Sequence, residues 1–276
     1  MTTLARDKQE ALDERLRGLD GLLVAYSGGV DSAYLAWRAR IVLGEGMRAV
    51  IADSPSLARR QLEEAVTFAK KHGIPLEVIA TNEMENPAYA KNDLQRCFHC
   101  KNELFTVMAA ARERLSARHL AYGMNLDDRG DFRPGQKAAE LHDVLAPLVD
   151  AGLTKADIRE LAREAGLEVW DKPAAPCLSS RIAYGQTVTP RALSEVERAE
   201  EFLRGLGLRQ FRVRHHGEIA RIEVAVEEMA GVLDVAVMAK ISERLKAMGF
   251  KHVALECGGF QSGSLHAGLK ENEGKA

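Results

Sequence analysis

Short apolar runs alternate with amphipathic stretches along the first two thirds of the chain. Residues 4–18 mix charges with Leu4, Leu12 and Leu16 at helical spacing, which predicts a helix. Gly21-Leu22-Leu23-Val24-Ala25-Tyr26 is apolar throughout, the mark of a strand buried on both faces. A glycine-rich turn follows, then a helix over 31–43. Further strands are predicted at 47–52, 76–80, 119–122 and 144–148, and helices at 57–71 and 101–115. Thr154 caps a helix running to 165, with Gly166 at its end. Strand–helix alternation of this kind predicts an α/β fold, a parallel sheet with helices on both faces. Ligands of such sheets sit at the carboxyl ends of the strands.

Residues 171–186 break the rhythm with Pro173, Pro176 and Gly185 and no periodicity. After them come a helix at 191–203, two strands around Gly217 (211–215 and 219–226), a helix at 233–248 and a strand at 252–256. The order α-β-β-α-β predicts a smaller C-terminal α+β domain. The expected organisation is a nucleotide-binding domain at 1–187 and a substrate-binding or oligomerisation domain at 188–276. The tail at 270–276 reads as frayed.

Composition narrows the class. The 276 residues carry 38 Lys and Arg against 40 Asp and Glu, so the chain is not a polyanion binder by composition. Its N-terminus is charged and lacks the apolar core of a signal peptide. No apolar run approaches the roughly 20 residues of a membrane span. These features predict a soluble cytoplasmic protein with no nucleic-acid or membrane partner. Four cysteines, Cys97, Cys100, Cys177 and Cys257, are too few for a disulfide framework and sufficient for one metal site.

Candidate chemistry centres on Ser27-Gly28-Gly29-Val30-Asp31-Ser32, between a buried strand and a helix. Glycines let the backbone turn tightly, and the helix N-terminus adds exposed N–H groups and a positive dipole end. The result is a nest for pyrophosphate. Ser27 and Ser32 offer hydroxyl donors, and Asp31 offers a carboxylate for Mg²⁺. The Walker pattern with its Lys is absent, and so is the third glycine of the dinucleotide fingerprint. Cys177 lies in a rigid, proline-flanked loop beside Arg181, a setting that suits a nucleophile as well as a buried structural thiol. Arg212 and Arg214 lie two apart on a predicted strand and share a face, which suits a phosphate monoester. Cys97-x-x-Cys100 has metal spacing, but a zinc site needs two more ligands, such as His99 or Cys257. Otherwise the two cysteines are packing residues at a helix start.

The hexapeptide after a first strand resembles the PP-loop ATP pyrophosphatases, of the adenine nucleotide alpha hydrolase-like fold. These enzymes cleave ATP between the α- and β-phosphates and activate a carboxylate or carbonyl oxygen with AMP. Further stretches are similar to the LarE family of sulfur insertases: Arg96-Cys97-Phe98-His99-Cys100-Lys101, Gly123-Met124-Asn125-Leu126-Asp127-Asp128, Arg133-Pro134-Gly135, Pro176-Cys177-Leu178-Ser179-Ser180-Arg181-Ile182, Arg212-Val213-Arg214 and Gly259-Phe260-Gln261-Ser262-Gly263-Ser264.

The resemblance implies that ATP, with Mg²⁺, adenylates a carboxylate of pyridinium-3,5-biscarboxylic acid mononucleotide. Cys177 then forms a thioester, its Cβ–S bond breaks, and it is left as dehydroalanine. The resemblance also places Gly28, Gly29, Ser54, Lys101, Asn125 and Asp128 at the nucleotide. Ser180, Arg181, Glu200, Arg212 and Arg214 fall at the substrate, with Glu200 and Glu223 near a second divalent metal. A homo-oligomer is expected.

Some relatives carry a [4Fe–4S] cluster on the loop cysteine plus two C-terminal cysteines. Here only Cys257 stands near the C-terminus, so that pattern is incomplete. Competing readings are a tRNA thiolase, which needs a basic surface, an ammonia-using amide ligase, which needs no Cys177 chemistry, and a non-enzymatic adenine-nucleotide regulator.

Overall fold

The computed structural model describes residues 3–130 and 134–261. Arg133, Ser262-Gly263-Ser264 and the tail at 270–276 lie outside the described residues.

Two compact units divide the chain. One is Met1–Glu83 with Gln95–Ala175, and the other is Met84–Leu94 with Pro176–Ala276. The boundary read from sequence at 187 therefore differs from the observed one. The loop before 187 and the distant segment Met84–Leu94 both join the second unit, and hydrogen bonds explain why. Asn92 is fully buried with φ 58°, and its side-chain amide donates to the carbonyls of Ile182, Ala183 and Gln186 at 3.3, 2.8 and 3.0 Å. The Tyr89 and Ser179 hydroxyls share a buried hydrogen bond of 2.6 Å.

The first unit runs α1 (Thr3–Arg17), β1 (Leu22–Ala25), α2 (Val30–Leu43), β2 (Met47–Asp53), α3 (Arg59–Lys71) and β3 (Leu76–Ala80). The short α4 (Pro87–Ala90) belongs to the second unit. The first unit resumes with α5 (Arg96–Ala111), β4 (His119–Tyr122), α6 (Pro134–Leu141), α7 (Pro147–Asp150) and α8 (Lys155–Glu164). Its sheet is parallel throughout, in the order β3-β2-β1-β4. Alternate strand residues feed two cores. Leu22, Val24, Ala49, Ile51 and Ala121 pack with α1, α2, α3 and α8, whereas Leu23, Val50 and Leu120 pack with α5 and α6. Both faces are covered, which is why β1 reads as a continuous apolar run.

The expected strand at 144–148 is not formed. Leu145 makes one parallel bridge to Ala121, and Pro147 then opens α7. Proline fixes its own φ and lacks the N–H a ladder needs, so the strand stops after one pair.

The second unit continues with α9 (Pro190–Gly205), β5 (Phe211–His216), β6 (Ile219–Val224), α10 (Val235–Ala247) and β7 (His252–Leu255). β6 is central, antiparallel to β5 and parallel to β7. Its core includes Leu203, Phe211, Val213, Ile222 and Leu245. The protein is thus α/β, with a parallel-sheet unit and a smaller α+β unit. No helix among the described residues is long and apolar enough to cross a membrane.

Candidate active site

The turn between β1 and α2 sits where the sheet order reverses, since β2 and β4 flank β1 on opposite sides. That switch point opens a crevice at the strands' carboxyl ends. The glycines have separate jobs. Gly28 holds φ +70°, and a Cβ there would meet Ala65 Cβ at 2.7 Å. Gly29 precedes α2 in extended conformation, and no side chain caps the helix. Ser27 and Ser32 lock the turn: their hydroxyls lie 3.0 Å apart, the Ser27 N–H donates to Ser32 Oγ at 3.1 Å, and Ser32 Oγ donates to Gly29 O at 3.2 Å. At the end of β4, Gly123 lets the backbone abut the head of α2; a Cβ there would stand 2.6 Å from Ser32 N.

The crevice is a cavity of about 610 Å³ lined by Ser27, Gly29, Asp31, Ser32, Lys101 and Asn125 among others. Asp31 is its electrostatic centre. Burial pushes the Asp31 carboxyl up from its ordinary value, and the Lys155 ammonium, 2.5 Å from Oδ2, pulls it back in part. The other oxygen, Oδ1, is buried without a hydrogen-bond partner. Such an oxygen is costly to leave unmet and suits a cation. A single carboxylate with the remaining positions filled by water and substrate phosphates is the usual way to hold Mg²⁺.

Lys155 was not foreseen. It is the first residue of α8, and its N–H donates to Asp127 Oδ2 at 2.8 Å. A lysine at the positive end of a helix is unfavourable unless an acid answers it; that was the available signal. Lys172 and Gln136 were also missed. Lys172 Nζ donates to Gly28 O at 3.1 Å, and Gln136 lines the cavity.

Other expected nucleotide residues are distributed unevenly. Lys101 and Asp128 line the cavity, with Lys101 Nζ 4.8 Å from the Tyr122 ring centroid. Asn125 and Asp128 form a capping box on the short turn of helix at 126–128. Ser54 instead lies in a buried chain, its hydroxyl 2.7 Å from that of Ser56, which donates to Glu83.

In the second unit the loop carrying Cys177 is held by Arg181. This guanidinium is 3% exposed and makes a forked contact with Glu200 at 3.0 and 3.2 Å. Its Nη1 donates to the carbonyls of Pro176 and Cys177 and to Ser180 Oγ. Arg214 makes a two-nitrogen contact with Glu223 Oε2, and Arg221 takes Glu223 Oε1 at 3.0 Å. Glu223 is fully buried with both oxygens on guanidinium groups, the setting of a structural counter-ion. Arg212 differs from its neighbours. Its guanidinium stacks on Phe260, and burial together with the nearby Arg181 and Arg214 charges lowers it to about 10, still a full cation at neutral pH. Positive charge held under this strain favours an anion.

Cys177 is partly buried, as is Cys100, while Cys97 and Cys257 are exposed. Among the described residues no three His, Cys, Asp or Glu side chains are gathered for a metal ion.

A doubly covered parallel sheet with an uncapped helix head at its switch point and this glycine turn defines a PP-loop nucleotide-binding α/β protein. No protein-family profile matches the chain. It is 32% identical over 267 residues, 96% of each chain, to the pyridinium-3,5-bisthiocarboxylic acid mononucleotide synthase of Lactiplantibacillus plantarum. An uncharacterised protein of Synechocystis is 40% identical over 95% of this chain and 98% of its own. One from Methanocaldococcus jannaschii is 29% identical over 85% and 88%. The chain belongs to the pyridinium-3,5-bisthiocarboxylic acid mononucleotide synthase family, the LarE sulfur transferases.

Proposed function

We propose that this protein is an ATP-dependent, sacrificial sulfur transferase. It converts a carboxylate of pyridinium-3,5-biscarboxylic acid mononucleotide into a thiocarboxylate, in assembly of the nickel-pincer nucleotide of lactate racemase. The name of the Lactiplantibacillus relative supports a mononucleotide substrate over tRNA. The observation that carries the reading is the head of α2, an uncapped first turn beside a buried, unsatisfied Asp31 Oδ1.

Ser27, Gly28, Gly29 and Ser32 hold the pyrophosphate end of ATP, and Lys101, Asn125 and Asp128 face the rest of the nucleotide. Mg²⁺ held by Asp31 would offset phosphate charge. The Lys155 ammonium favours the ionised form of Asp31. A substrate carboxylate oxygen attacks the α-phosphorus, and pyrophosphate leaves. The Cys177 thiolate attacks the acyl carbon and AMP leaves. Loss of the Cys177 Cα proton and cleavage of Cβ–S then release thiocarboxylate. Arg212 is the anchor for the substrate's phosphate monoester. Exposed Val226, Leu233, Val235 and Met238 support a homo-oligomer, which light scattering would report.

Intact mass tests the reading. After one turnover the chain should be lighter by about 34 Da, the mass of H₂S, because the donor cysteine is consumed. Cys177→Ala should still release pyrophosphate and make no thiocarboxylate. Unchanged mass after confirmed product formation rules out a sacrificial cysteine.

A further inference from the structure

The Cys177 carbonyl oxygen is unusually well supplied with donors. The Ser180 N–H reaches it at 3.0 Å, the ordinary turn bond of the 3₁₀ segment Leu178–Arg181. Two side chains add to that bond: Ser180 Oγ at 2.7 Å and Arg181 Nη1 at 3.0 Å. Arg181 Nη1 also donates to Ser180 Oγ at 3.0 Å, which polarises the hydroxyl toward the carbonyl. A carbonyl oxygen has two lone pairs. Three donors, one of them cationic, exceed what a neutral amide oxygen uses and suit an oxygen that acquires negative charge.

Eliminating sulfur from Cys177 puts charge on that atom before the Cβ–S bond breaks. The Cα proton passes to water, and its electron pair moves into a Cα=C bond as the carbonyl becomes an enolate. The enolate then collapses to Cα=Cβ, and the Cβ–S pair leaves on sulfur as thiocarboxylate. No oxidant or reductant is needed. Donors already aimed at the oxygen where charge develops stabilise that transition state without reorganising. We propose that Ser180 and Arg181 form an oxyanion site for the Cys177 enolate, making them catalytic residues of the elimination. Glu200 is a positioning residue that holds the guanidinium through its forked contact. This inference rests on the sulfur-transfer reading given above.

The test is rapid-quench intact mass with ATP, Mg²⁺ and pyridinium-3,5-biscarboxylic acid mononucleotide. Wild-type protein should pass through a substrate adduct to the species lighter by about 34 Da. Ser180→Ala keeps the backbone donor and breaks no ion pair. At saturating substrate, where a weaker contact to the substrate is not read, it should form the adduct at the wild-type rate and lose it about tenfold more slowly or worse. Ser180→Thr should restore the decay. A Ser180→Ala adduct that decays at the wild-type rate overturns the proposal. So does parallel slowing of adduct formation and decay, the pattern of a loop clamp with no role in elimination. Absence of both adduct and lighter protein in the wild type brings down the sulfur-transfer reading itself, and this inference with it.

Discussion

Adding one methyl group at the end of β4 should disable the phosphate nest without removing any of its donors. In Gly123→Ala the new Cβ would stand 2.6 Å from Ser32 N, 2.8 Å from Ser32 Cα and 3.1 Å from Asp31 C. All three are backbone atoms, so no flexible side chain can yield. Ordinary contact begins at 3.4 Å, and the head of α2 must recede by about 0.8 Å. Overpacking of this kind costs about 1–3 kcal/mol, or roughly 2–4 °C in Tm per kcal/mol for a unit of this size. Displacement by about an ångström costs catalysis on the order of a hundredfold. The assay is pyrophosphate release at saturating ATP, with Tm measured alongside. Gly205→Ala is the control, because its Cβ would meet nothing within 4 Å. Normal pyrophosphate release from folded Gly123→Ala protein would refute the argument that β4 sets the position of the helix head.

Other expectations follow from the same geometry. Asp31→Ala should abolish pyrophosphate release and leave circular dichroism unchanged, since the residue faces a cavity and not the core. Only the ionised Asp31 holds a cation, and its carboxyl is already raised by burial. Activity should therefore fall as pH drops through a limb above the usual carboxylate range. Lys155→Met removes the ammonium that opposes the shift and should move that limb to still higher pH; a limb that stays put would remove Lys155 from the role. Arg212→Ala should weaken substrate binding by about 1.5–3 kcal/mol, with ATP binding preserved, both read by calorimetry. Arg214→Ala should instead destabilise the fold by up to about 3–5 kcal/mol, because it strips a buried carboxylate of a partner. Chemical denaturation would show it.

The sheet was legible because burial on both faces leaves a plain trace at β1 and β2, short apolar runs that alternate with helical stretches. The turn at 27–32 was legible because its glycines and serines answer local backbone demands. Ion pairs were harder to read. Arg212 and Arg214 look alike two residues apart, and register sets Arg212 opposite Glu223 and Arg214 opposite Arg221; yet it is Arg214 that reaches diagonally to Glu223, while the Arg212 guanidinium lies over Phe260. Only the diagonal reach of the Arg214 side chain and the return of the chain at 260 distinguish them. Lys155 and Asp31 are 124 residues apart, and local pattern cannot join them. The apolar run at 144–148 suggests a strand, but Pro147 ends it after a single bridge.

Segment Met84–Leu94 has a consequence for biosynthesis. It lies between two stretches of the first unit, but its hydrogen-bonding partners, Ser179, Ile182, Ala183 and Gln186, come some 90 residues later. As the chain leaves the ribosome N-terminus first, the Tyr89 hydroxyl and the Asn92 amide emerge long before Ser179, Ile182, Ala183 and Gln186. The first unit must therefore assemble around an unfinished loop, whose loop-closure entropy is overcome only when the 176–188 stretch arrives. It follows that a C-terminal fragment beginning at Pro176 lacks an integral piece of its own unit. Such a fragment should fold only when a peptide covering 84–94 is supplied.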